Sequence, residues 1–136
     1  MFRFFQQHSQ KGILFLRLGK ALVFVYHGYM KLWAPGGTGR AMDAFAAWGI
    51  PLPQISVYLS GGAEFFGGVM IGLGLLTRQA SLFLIIDMLV AIFVAHRNDP
   101  YGQTEHAIQM LVLSIGTLFS GSGPWSLESL VKKHGD

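Results

Sequence analysis

Four apolar segments, each long enough to cross a hydrocarbon layer, occupy most of this 136-residue chain. They run over about 13–32, 55–76, 80–95 and 105–119, and a membrane-crossing helix needs roughly 20 mainly apolar residues at about 1.5 Å each. The pattern reads as an all-α polytopic membrane protein: a four-transmembrane-helix bundle with a short interfacial helix between the first two spans. Hydrophobic residues make up 51% of the chain and charged ones 12%, whereas soluble domains carry about 25% charged residues. The length leaves room for one bundle over residues 1–136 and for no second domain.

The breaks between spans are written in turn-forming residues. After Leu32, the stretch Trp33-Ala34-Pro35-Gly36-Gly37-Thr38-Gly39 cannot continue a helix. Arg40 to Trp48 then places Met42, Phe45 and Trp48 at helical spacing, as expected of a helix lying in the interface. Gly49-Ile50-Pro51-Leu52-Pro53 turns the chain back. The second span is glycine-rich, and Gly68 with Gly72 forms a small-xxx-small pair that admits a neighbouring helix. Thr77-Arg78-Gln79 is read as the tight turn to the third span, His96 to Gly102 as a polar loop, and Trp125 to Asp136 as a polar tail.

The net charge is +3 and the pI about 9.5. No basic run interleaved with aromatics supports nucleic-acid binding, so the excess reads as topology information. Arg3, Lys11, Arg78, Lys132 and Lys133 fall on one side and only Arg40 and Arg97 on the other, which puts both termini in the cytoplasm. The first apolar stretch is too long for a signal-peptide core and is read as a retained transmembrane helix. Cysteine is absent, which excludes thiolate nucleophiles and thiolate-bound metal or iron–sulfur sites.

Ionisable residues inside the spans are costly and mark interior contacts, cavities or pathways. At about 100° per residue, Arg17, Lys20, Phe24, His27 and Lys31 fall within roughly 80° of one another on the first helix. Glu64 shares a face with Gly68 and Gly72 on the second, and Asp87 one with Ala91 and Ala95 on the third. On the fourth, Glu105 and Gln109 align with Gly116 and Ser120. Matching depths gives expected pairs: Lys20 with Asp87, His27 with Glu64, and Lys31 with Glu105. Arg17 is shallow enough to snorkel to the surface.

A histidine beside a carboxylate can pass protons near neutral pH or hydrogen-bond a quinone carbonyl. Glu64 and His27 are therefore the candidate catalytic pair. Lys20, Tyr26, Lys31 and Asp87 complete the candidate ligand-binding set, and Arg17, Glu105 and Gln109 are read as structural polar residues. The alternative reading is that the pairs serve only to lock the helices together. No metal site is read: His96 and His106 lie near Glu105, but the spacing matches no ligand pattern. His8 and His134 are read as solvated tail residues. Gly36-Gly37-Thr38-Gly39 follows a helix and so lacks a phosphate loop's context, which argues against a nucleotide enzyme.

An ordered set of short motifs then carries a resemblance. Arg17-Leu18, Val23-Phe24 and His27-Gly28 precede Lys31-Leu32; Gly49-Ile50-Pro51-Leu52-Pro53 follows. Next come Glu64 with Gly67-Gly68, Gly74-Leu75-Leu76-Thr77-Arg78, and a closing Gly123-Pro124-Trp125-Ser126-Leu127. Over nearly its full length the chain resembles the DoxX family. The resemblance implies a four-helix protein of the bacterial inner membrane. Some members are subunits of thiosulfate:quinone oxidoreductase, and others join membrane complexes of oxidative-stress defence or quinone-responsive systems.

The expectation is thus a membrane subunit of a quinone-linked redox complex, with a quinone-like ligand inside the bundle and either another protein subunit or further copies of the chain as partner. In it Glu64 exchanges a proton while His27 and Lys20 hydrogen-bond the ligand oxygens. The alternatives are a non-catalytic scaffold or assembly factor and a small-solute or proton transporter.

Overall fold

The computed structural model describes residues 2–133, and within them all regular secondary structure is helical. Seven α-helices follow in order: α1 Phe2–Gln7, α2 Ser9–Leu32, α3 Gly37–Ala47, α4 Pro53–Leu73, α5 Thr77–Val90, α6 Tyr101–Ser120 and α7 Leu127–Lys133. A π-helical segment, Ala91–Ala95, continues α5 to the polar loop. Three helices are long and apolar enough to cross a membrane: Ser9–Leu32, Pro53–Leu73 and Thr77–Ala95. Helix α6 has 20 residues but is less apolar, because its first turns carry Gln103, Thr104, Glu105 and His106.

Local chemistry sets the boundaries. Pro53 opens α4, where its missing N–H costs nothing and its fixed φ suits the helix. Gly74 ends α4 in the left-handed region (φ 69°), so the turn to α5 is Gly74–Leu76 and Thr77 already belongs to the next helix. This moves the expected turn three residues towards the N-terminus. The interfacial helix starts at Gly37, earlier than expected, and the tail forms the short helix α7.

Helix α4 packs along α2, α5 packs on α4 and on α6, and α6 closes more lightly on α2. The α2–α4 seam depends on absent side chains. A Cβ at Gly68 would lie 2.9 Å from the Val25 nitrogen and 3.1 Å from the Ala21 carbonyl, and one at Gly72 would meet Ala21 Cβ at 3.3 Å. The small-residue face expected of α4 is therefore the face that α2 occupies. Ala21, Phe24, Ile71, Ala80, Leu84, Met88, Ala107 and Met110 form the apolar core between the four long helices.

Candidate functional site

The intramembrane polar groups gather where α2, α4 and α5 meet, beneath α3. The Lys31 ammonium lies 2.7 Å from Glu64 Oε2 and donates to Ser60 Oγ at 2.9 Å. Its angles to Oε2 fall outside those of a hydrogen bond, so the contact is an ion pair. Glu64 is only 3% exposed. Asp87 on α5 is a near neighbour of Ser60 and Glu64. One ammonium thus faces two carboxyls, with a hydroxyl between them. The Lys31 ammonium also stands 5.8 Å from the centre of the Phe45 ring, which α3 supplies.

These contacts replace all three expected pairs. Lys31 takes Glu64, leaving Glu105 on the outer surface of α6. Asp87 joins the Glu64 cluster, and among the described residues Lys20 makes no ion pair. His27 faces His106 of α6, with ring centres 5.1 Å apart. Depth counting separates Asp87, Glu64 and Lys31 into three levels, whereas the structure brings them to one cluster. The azimuth of each helix in the bundle chose the partners.

Lys20 is 1% exposed, and its ammonium donates to Thr117 Oγ1, which lies 2.8 Å from Ser81 Oγ. It is held by hydroxyls of α5 and α6 and does not line the cavity described below. Arg17 does not snorkel. It is 2% exposed, and its guanidinium donates to the carbonyls of Ser122 and Trp125, the latter at 2.6 Å. The turn after α6 folds back over it, so backbone carbonyls take the place of water. Gln109, like Glu105, points away from the bundle. Tyr26 is exposed and sets its ring edge-on to His27 at 5.7 Å.

A cavity of about 1080 Å³ opens beside the cluster. Phe24, Phe45, Trp48, Phe83, Ile86 and Met110 contribute to its apolar wall, and Lys31, Ser60, Glu64, Asp87, His27 and His106 supply polar groups. Helix α3 and the turn Gly49–Pro51 cover one side, and the π-helical segment contributes Ala91, Val94 and Ala95 to another. A π segment widens the helix by one residue per turn and commonly marks a functional position. A large apolar cavity with a few convergent polar groups suits a lipophilic molecule with a polar head.

Of the remaining histidines, His96 also lines the cavity, near its α3 side, and His8 does not. His96 Nδ1 donates to Asp99 at 2.7 Å, and His8 Nδ1 donates to the Phe4 carbonyl at 2.8 Å. His134 lies outside the described residues. Among the described residues, no group of three histidine or carboxylate side chains converges in a way that could hold a metal ion.

Two contributors escaped the sequence reading. Ser60 lies one turn before Glu64 on the same face of α4, so helical spacing alone contained that signal. His106 lies in the first turns of α6, and nothing in its neighbourhood of sequence indicates that it faces His27. The buried hydroxyls Ser81, Ser114 and Thr117, two of which support Lys20, carry a weaker signal, because serine and threonine commonly bond back to their own helix.

Comparison with known proteins agrees with this architecture. The chain is 31% identical to the uncharacterized membrane protein Rv3486 of Mycobacterium tuberculosis, over 96% of this chain and 88% of that protein. It is 30% identical to the inner membrane protein YqjF of Escherichia coli, over 90% and 93%. It is also 30% identical to CatD of Bacillus subtilis, whose name marks it as a candidate oxidoreductase, over 92% of each. No solved structure matches the chain significantly. The DoxX family model matches residues 12–97, which include α3, α4 and the Lys31–Glu64–Asp87 cluster. This membrane protein of apolar helices belongs to the DoxX family.

Proposed function

We propose that α2, α4, α5 with its π-helical extension, and α6 cross the bacterial inner membrane as a four-helix bundle with both ends of the chain in the cytoplasm. The bundle binds a quinone-like ligand in its cavity, as the membrane subunit of a quinone-linked redox complex. The observation that carries this reading is the placement of Lys31, Ser60, Glu64, Asp87 and the His27–His106 pair around an otherwise apolar cavity of about 1080 Å³.

His27 and Lys31 lie one turn apart on the same helix, about 6 Å along its axis, a spacing that suits two opposed oxygens on one ring. Both line the cavity. In this reading His27 hydrogen-bonds one oxygen and Lys31 takes the place expected for Lys20 at the other. Glu64, beside Asp87, supplies or accepts a proton. The apolar wall takes the ring and tail, and electrons come from a partner subunit. The name of the Bacillus subtilis relative is compatible with such a role.

The test is purification in gentle detergent from native membranes, followed by mass spectrometry of the extracted lipids. A retained quinone, lost in Glu64→Gln and His27→Ala, supports the reading; equal retention by both variants removes it.

One observation favours a scaffold instead. Lys20 is held by the Thr117–Ser81 hydroxyls and Arg17 by backbone carbonyls, contacts that tie α2 to α5, α6 and the turn after α6. That alternative predicts bulk lipid and no enriched quinone.

A further inference from the structure

Helix α6 turns a patterned face away from its own bundle. Gly102, Glu105, Gln109, Val112, Gly116 and Phe119 recur at alternating spacings of three and four residues, the repeat of a helix that packs lengthwise against another helix. All six are exposed, Val112 at 61% and Phe119 at 78%. A Cβ at Gly102 or Gly116 would meet nothing within 4 Å. The buried residues of α6, Thr104, Ala107, Met110, Ser114 and Thr117, lie on the opposite side. The face is also separate from the ligand cavity, which takes Gln103, His106, Ala107 and Met110 from this helix.

Gln109 decides what such a face is for. Neither it nor Glu105 has a side-chain partner among the described residues. Gln109 sits close to the midpoint of α6, where lipid tails offer no donor and no acceptor. A primary amide carries both, so two amides facing each other satisfy each other. Copies of one chain share a single membrane orientation. A twofold axis along the membrane normal therefore sets every residue of α6 beside its own counterpart at the same depth. Gln109 then meets Gln109, Gly116 meets Gly116 where the helices approach most closely, and Glu105 falls at the wet rim. A single polar residue in a three-four seam is also the usual means of fixing register between two helices.

We infer that this face of α6 is the contact surface for a second copy of the chain, the pair closing on a Gln109–Gln109 hydrogen bond inside the bilayer. The inference rests on α6 crossing the membrane, as proposed above.

The chain contains no cysteine, so single cysteines can be introduced into the full-length protein and oxidised in native membranes. Val112→Cys and Gly116→Cys should give the chain dimer in high yield. Ser114→Cys, on the buried side of α6, and Phe66→Cys and Leu82→Cys, on the exposed faces of α4 and α5, should not. Adding Gln109→Leu to Val112→Cys should lower dimer association roughly threefold to tenfold, and adding Gln109→Asn should keep most of it. Equal yields at Phe66 and Leu82, no dimer at 112 or 116, or a product containing a different protein would each overturn the inference. A membrane-impermeant maleimide separates the two readings. If it labels Val112→Cys, α6 lies outside the bilayer and both fail. If it does not, and no dimer forms, only the contact between copies fails.

Discussion

Lys31 reaches Glu64 across the crossing of α2 and α4 at 2.7 Å, beside Gly61, whose missing side chain leaves room for Leu32 and the Lys31 Cβ. A Cβ at Gly61 would stand 3.2 Å from Lys31 Cβ. The ion pair thus uses the same shortage of side chains that lets the two helices close. Charge placement and close packing are one feature at this crossing, and the cavity lies beside it.

Removing the lysine should be far worse than removing both charges. Lys31→Met leaves two carboxyls without their ammonium and should cost about 3–5 kcal/mol of stability. Adding Glu64→Gln should return a large part of that. Thermal unfolding in detergent of the two single variants and the double variant measures the coupling, and additive losses would show that the pair does not interact.

Lys20 and Lys31 should separate cleanly by function. Lys20 is enclosed by hydroxyls away from the cavity, so Lys20→Met should leave binding of a short-chain quinone unchanged, whereas Lys31→Met should weaken it at least about tenfold, or 1.4 kcal/mol. Thr117→Val alone strands the Lys20 ammonium and should cost about 1–3 kcal/mol. Combining it with Lys20→Met should recover stability. Titration of detergent-purified protein reads the first effect and thermal unfolding the second.

The glycines of α4 should differ by face. Gly68→Leu drives a side chain into the α2 backbone and should cost about 1–3 kcal/mol or more, with loss of folded yield. Gly62 has nothing within 4 Å of its Cβ position, so Gly62→Leu should be tolerated. Monodispersity on size exclusion compares them directly.

Topology has a parity test. Three crossings would place the two ends of the chain on opposite faces of the membrane, and four place them on the same face. With cysteines placed singly, Arg40→Cys and Arg97→Cys should react with an impermeant maleimide from outside the cell. Arg78→Cys and Lys132→Cys should react only after permeabilisation. External labelling at position 132 would mean that α6 does not cross.

The sequence by itself determined the helices and which polar residues share a face on each. Apolar run length located the long helices and proline and glycine their breaks, but the rise per residue set Asp87, Glu64 and Lys31 at three different heights, which the structure joins in one cluster. The face of α4 that meets α2 was legible too, because Gly68 and Gly72 admit a neighbour whatever its identity. Partner choice was not legible. A helix's own sequence says which residues share a face, but which neighbour that face meets depends on how all the helices rotate as their surfaces close together. That rotation gave Lys31 to Glu64, His27 to His106 and Lys20 to Thr117. It also turned the face of Glu105 and Gln109 outward, where the sequence alone had placed it inside. Packing is a property of several surfaces at once, and only the tertiary structure brings them together.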